Sequence, residues 1–164
     1  MLIESGIGEF SDAQPLTAGA TNSTNVINLI AARHQMGANG QLWLWLRTNV
    51  AAVFDSTQSY IFSFVMDSVE ALTTTPTALI TICDVDGSAI VEADPEAAKL
   101  ETAGSLIYCS TLPYGADMQY AGWIYTLADG GGTAGITVDA GLSTVRPPTD
   151  RTKDQVYATN ITTP

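Results

Sequence analysis

The sequence predicts an all-β fold, a jelly-roll-like antiparallel β-sandwich of about eight strands, and three observations carry that reading. Short runs of β-branched, aromatic and leucine residues recur along the chain, several of them alternating in polarity. Turn formers punctuate those runs: 14 Gly, 7 Pro, and many Asp and Asn. Strong helix formers never accumulate, since the charged residues are only 14 % of the chain and lie scattered.

Taken in order, residues 17–22 are turn-rich and 24–29 read as a short first strand. In 41–48, Leu42, Leu44 and Leu46 alternate with Trp43, Trp45 and Arg47, so the leucines can fill a core while the indoles face away beside the guanidinium. In 58–67, Tyr60, Phe62, Phe64 and Met66 alternate with Ile61, Ser63, Val65 and Asp67. Residues 77–84 follow, then a turn at Asp86-Gly87-Ser88 and a short strand at 89–92. Strands at 105–112, 119–128 and 135–142 complete the set. One helical turn is predicted at 94–99, with Asp94 as N-cap and Pro95 in the first helical position. The glycine run 129–135 is followed by neither a lysine nor a helical pattern, so it reads as a hairpin loop and not as a phosphate cradle.

At 164 residues and 46 % apolar, the chain can bury one sizeable core. Residues 1–145 read as one jelly-roll-like domain and 146–164 as an extended C-terminal arm. The body carries 3 basic and 15 acidic residues, a net of −12, whereas the last 19 residues carry 3 basic and 2 acidic, a net of +1. The arm is either a loose terminus or a strap whose Arg146, Arg151 and Lys153 meet acidic surface on a neighbouring subunit.

A net charge of −11 argues against nucleic acid as a partner, because that binding rests on neutralising phosphates with Lys and Arg. Apolar runs as short as 42–46 argue against a membrane-spanning helix, and the first residues carry no secretory-signal pattern. Cys83 and Cys109 sit in strand-like runs, where reduced, buried thiols are expected.

No catalytic constellation stands out, and neither a cofactor nor a metal is expected. The single histidine, His34, lies in a polar stretch without a partner motif. Asp84-Val85-Asp86-Gly87 opens like a calcium loop but lacks the third early oxygen ligand and the glycine at the sixth position, so a strand-ending turn is expected. Trp43, Trp45 and Arg47, together with Trp123 and Tyr125, form more apolar strand surface than one core face needs. Either loops or the second sheet cover those rings, or they anchor a subunit interface, where Trp, Tyr and Arg are enriched.

Phe10-Ser11-Asp12-Ala13-Gln14, then Leu16-Thr17-Ala18 and Ser23-Thr24-Asn25-Val26-Ile27-Asn28-Leu29, resemble the amino-terminal signature of a family of capsid cement proteins. These are decoration proteins of tailed bacteriophages, of the type found in a short-tailed Bordetella phage. Residues 42–46, 61–67, Leu112-Pro113-Tyr114-Gly115 and 135–142 resemble later parts of the family pattern, so the likeness covers roughly 8–144. Residues 34–41 and the arm beyond Arg146 depart from it.

The resemblance implies a non-enzymatic jelly roll on the outside of an icosahedral shell, bound to the major capsid protein and to itself as a small oligomer, dimer or trimer. It places the protein on the virion surface after assembly in the host cytoplasm. On this reading Trp43, Trp45, Arg47, Trp123, Tyr125, Arg146, Arg151 and Lys153 are the interface candidates. Two other readings stay open: a carbohydrate-binding module that stacks sugars on Trp43, Trp45, Trp123 and Tyr125, and a jelly-roll tail or fibre subunit.

Overall fold

The computed structural model describes residues 8–30, 42–54, 57–74, 76–84, 86–112, 119–128 and 135–143. In chain order their strands are β1 (Glu9–Pro15), β2 (Gly19–Asn22), β3 (Ile27–Asn28), β4 (Trp43–Val50), β5 (Ser59–Asp67), β6 (Thr77–Ile82), β7 (Leu106–Thr111), β8 (Tyr120–Ala128) and β9 (Thr137–Ser143), with a single helical turn, α1 (Ala97–Leu100), before β7. Sheet A is ordered β1-β9-β4-β7 and sheet B β2-β8-β5-β6, with β3 also on β8. All pairings are antiparallel.

β2 and β3 follow one another along the same edge of β8. Gly19 opposes Leu127 and Asn22 opposes Ile124; after a break, Ile27 opposes Ala121 and Asn28 opposes Tyr120. Counted as one interrupted strand, they leave eight strands whose pairing nests from the outside in. β1 pairs with β9, β2 and β3 with β8, β4 with β7, and β5 with β6 at the centre. A long hairpin rolled up in this way is a jelly roll, which is the expected fold.

Strict alternation builds the core. Leu44 and Leu46 on β4, with Val138, Ala140 and Leu142 on β9, point from sheet A toward Tyr60, Phe62, Phe64 and Met66 on β5 and Ala121, Trp123, Tyr125 and Leu127 on β8. Rings directly opposite in register touch: Phe62 with Tyr125 at 6.0 Å between centroids, and Phe64 with Trp123 at 5.4 Å. Phe10 reaches across from sheet A and meets Phe64 edge-on at 5.6 Å. Each such pair contributes about 0.5–1.5 kcal/mol beyond its buried area. At the end of β5, the buried Asp67 carboxylate accepts from the backbone N–H of Ser68 and Thr74, which ties down the start of the β5–β6 connection.

The elements depart from the sequence expectations in five places. β1 and β2 are strands where the sequence shows no strand pattern: Glu9, Asp12 and Pro15 break any apolar rhythm in β1, and β2 is the turn-rich Gly19–Asn22. The strand expected over 24–29 shortens to Ile27–Asn28. Residues 89–92 form only a single bridge, Ile90 to Tyr60. The helical turn begins later than expected, with Glu96 at its N-cap, because the Asp94 carboxylate instead accepts the N–H of Val91 at 2.8 Å. β8 lies in sheet B and β9 in sheet A, so the two strands are not paired as the hairpin expected around 129–135, of which residues 129–134 lie outside the described residues. The turn expected at Asp86-Gly87-Ser88 is present, with Gly87 at φ +86° and the Asp84 N–H bonded to the Ser88 carbonyl.

Candidate interaction surface

Pleating divides β4 between two environments. Leu44 and Leu46 are fully buried, whereas Trp43 and Trp45 lie half-buried on the outer face of sheet A. The register fixes their neighbours there. Trp43 lies between Thr111 and Ser143, Trp45 between Cys109 and Gly141, and Arg47 lies opposite Asp139. The Arg47 guanidinium carbon is 6.0 Å from the Trp45 ring centroid, at the outer limit of a cation–π contact.

Gly141 makes room for the Trp45 indole. A Cβ on residue 141 would fall 2.8 Å from Trp45 Cζ2 and 2.7 Å from the carbonyl oxygen of Gly8. Trp45 Nε1 is itself buried and has no hydrogen-bond partner among the described residues. Beside this aromatic strip runs an acidic margin of Glu9, Asp12 and Asp139, where Asp139 accepts the Ala13 N–H at 2.7 Å. Partial burial, and then the carboxylates of Asp12 and Asp139, push the Glu9 carboxyl above its ordinary value. Arg47 is buried, at 9 % exposure, which corrects its expected place as an accessible anchor. Trp43 and Trp45, bordered by carboxylates, are left as the part with the chemistry of a protein–protein contact.

Trp123 and Tyr125 do not belong to that surface. Both are buried in the chain's own core, at 0 % and 1 % exposure, under rings from β5 and β7. The expectation that they serve an interface or stack sugars is therefore corrected: β8 is a central strand, and its apolar face packs against sheet A. Arg146, Arg151, Lys153 and His34 lie outside the described residues.

A second constellation emerges that composition alone did not reveal. Ser11 donates to Gln14 Oε1 at 2.5 Å, so the contact of 2.8 Å between Ser11 Oγ and the Tyr125 hydroxyl has tyrosine as donor. Gln14 Nε2 donates to the Asn22 carbonyl and Gln14 Oε1 accepts the Thr24 N–H. Asn25 returns two bonds to β1, from its N–H to Phe10 O and from Nδ2 to Glu9 O. Ser23 then pairs with β8 through both its N–H and its hydroxyl. Burial raises the Tyr125 hydroxyl well above the ordinary tyrosine value, a shift the Ser11 bond partly opposes. These contacts lace the β1 side of sheet A to the β2/β3 side of sheet B. The amino-terminal signature is thus a structural clasp.

The described residues contain no group of three or more His, Cys, Asp or Glu side chains placed to hold a metal ion; Cys83 and Cys109 are not joined in a disulfide and are half-buried, less deeply than expected. Among the described residues no helix is long and apolar enough to cross a membrane.

A nested two-sheet roll with a clasped side and one aromatic outer strip defines the class: a small all-β sandwich. The chain belongs to the Bbp16 family, whose model matches residues 10–142, from the first strand to the last. The family's name points to a protein of a Bordetella phage. No curated protein matches the chain significantly.

Proposed function

We propose that this protein is a non-enzymatic decoration, or cement, protein of a phage capsid. It binds the outer surface of the icosahedral shell and bridges neighbouring major capsid protein subunits. The observation that carries the reading is the family match across the whole sandwich, residues 10–142, joined to the cement-protein signature that forms the clasp. A ligand that binds only the assembled, expanded shell stabilises that state by mass action, and many weak sites on one lattice add up to firm attachment. The half-buried Trp43 and Trp45 support such contacts, Arg47 being itself buried, and the acidic body limits unspecific adhesion.

The test is co-sedimentation of the purified protein with cognate capsids that lack it, before and after shell expansion. Saturation close to the copy number of the shell protein, on expanded shells alone, is the expected result. Absence of pelleting above background overturns the reading. The sugar-binding alternative has lost two of its four stacking rings, because Trp123 and Tyr125 are core residues.

A further inference from the structure

The outer face of sheet A combines indole rings with unbalanced negative charge. Trp43 and Trp45 take successive outward positions on β4, and Glu9, Asp12 and Asp139 border them from β1 and β9. Asp12 is exposed, and Glu9 and Asp139 are half-buried. Among the described residues the basic side chains are Arg47, which is buried, and Lys99, on α1. One buried guanidinium against three carboxylates leaves an excess of negative charge, so the face fits a cationic segment that also carries groups able to stack on indoles.

One segment of this chain has that composition, and it starts beside the rings. β9 ends at Ser143, the register partner of Trp43, and residues 144–164 follow it. They hold Arg146, Arg151 and Lys153, three of the six basic residues in the chain. Arg146-Pro147-Pro148 suits the indoles, since guanidinium groups stack on aromatic faces and consecutive prolines dock on aromatic-lined surfaces with little freedom left to lose. Local sequence also bears on which copy is reached. Proline fixes its own backbone and biases the residue before it toward extended conformations, which constrains 146–148. Only Thr144 and Val145 separate Ser143 from that run, and a two-residue reversal needs positive φ, which β-branched residues resist. The sequence therefore favours a path away from the molecule's own strip. From Thr144 to Lys153 an extended chain reaches about 33 Å, enough to cross to a neighbour and run the length of β4.

We infer that the C-terminal arm of one copy lies along the outer face of sheet A of a neighbouring copy, with Arg146-Pro147-Pro148 against Trp43 and Trp45 and with Arg151 and Lys153 against Glu9, Asp12 and Asp139. Charge selects this occupant. Two bodies of net −11 repel wherever their acidic surfaces face each other, and the arm, with 3 basic and 2 acidic residues over 146–164, carries the opposite sign. Each strap is weak alone, and straps repeated between many copies reinforce one another. The inference concerns contacts between copies and does not require the shell to be the partner.

The experiment is carbodiimide cross-linking of the full chain, which joins an amine directly to a carboxylate. It is run on an equimolar mixture of isotope-labelled and unlabelled copies, concentrated in solution and bound to cognate capsids. Lys99 and Lys153 are the only lysines in the chain, so links from the arm are simple to assign. Amides from Lys153 to Glu9, Asp12 or Asp139 that join a labelled peptide to an unlabelled one are expected in at least one of the two preparations. Their yield is expected to fall at least about fivefold at high salt and in Trp43→Ala, with a thermal melt showing that the variant folds. Links confined to single copies overturn the inference, as does a folded Trp43→Ala variant with full yield. Absence of those links from both preparations overturns it too, as do links to the same carboxylates from capsid-protein lysines instead, which assign the face to the shell. Links between copies in solution without any pelleting on capsids support the strap and overturn the cement reading alone.

Discussion

Trp45 and Gly141 are register partners on adjacent strands, and the indole occupies the space that a side chain at 141 would need. Gly141→Ala drives a methyl group against Trp45 Cζ2 and against the Gly8 carbonyl, a backbone atom that cannot rotate away. The expected cost is about 1–3 kcal/mol, as for other overpacked sites. A lower denaturant midpoint with an unchanged slope checks it.

Trp123 and Trp43 separate stability from binding. Trp123→Ala empties the centre of the core and is expected to cost about 3–5 kcal/mol. Trp123→Phe is expected to cost much less, because it also removes an indole N–H that is buried without a partner among the described residues. Trp43→Ala, on the outer face, is expected to cost less stability than Trp123→Ala but to weaken capsid binding at least about tenfold. Thermal melts and co-sedimentation, run on all three variants, decide this.

The clasp predicts an order of effects. Tyr125→Phe removes one hydroxyl while Ser11 still donates to Gln14, so a loss of about 1 kcal/mol is expected. Gln14→Ala strips partners from Ser11, the Thr24 N–H and the Asn22 carbonyl together, at about 1–3 kcal/mol for each group left unpaired. Equal losses from the two variants, measured by urea unfolding, contradict the geometry.

Glu9 gives a pH dependence of known sign. Its carboxyl is raised in the folded state, first by burial and then by Asp12 and Asp139, so the ionised form opposes folding. That penalty is present above the folded-state value and vanishes as pH falls below the ordinary glutamate range, about 4. Glu9→Gln is therefore expected to raise the melting temperature near pH 7 and to leave it unchanged under acid conditions.

Truncation after Ser143 tests the arm. β9 ends there and its pairs with β1 and β4 remain, so the melting temperature is expected to hold. Capsid co-sedimentation is expected to weaken if Arg146, Arg151 and Lys153 meet acidic surface, and undiminished pelleting removes the arm from the account.

The body of the fold was legible because β4, β5 and β8 alternate cleanly, as they must when one face fills a core. Periodicity could not say that Trp123 lies inward while Trp45 lies outward. Both sit on strands with aromatic residues at every second position, and only the sheet order shows that β8 turns its rings toward sheet A. β1 was invisible for the opposite reason. It is held by its ladder to β9, by Phe10 in the core and by the bond between Ser11 and Tyr125, contacts that leave no repeat in the local sequence. The signature resemblance found those residues without revealing that they hold the molecule shut.

Nested pairing also sets the order in which this molecule can come into being. Glu9 has no strand partner until Gly141 exists, so a ribosome must deliver nearly the whole sheet before the outermost ladder can close. Only β5 and β6, at the centre of the roll, are near neighbours in sequence, and everything else must wait for progressively wider loops. Slow maturation is expected of so non-local a ladder, on the millisecond-to-second scale. During that interval the β6 strand carries none of the charges that keep unfinished copies apart, so association of partly folded chains is expected to rise with concentration.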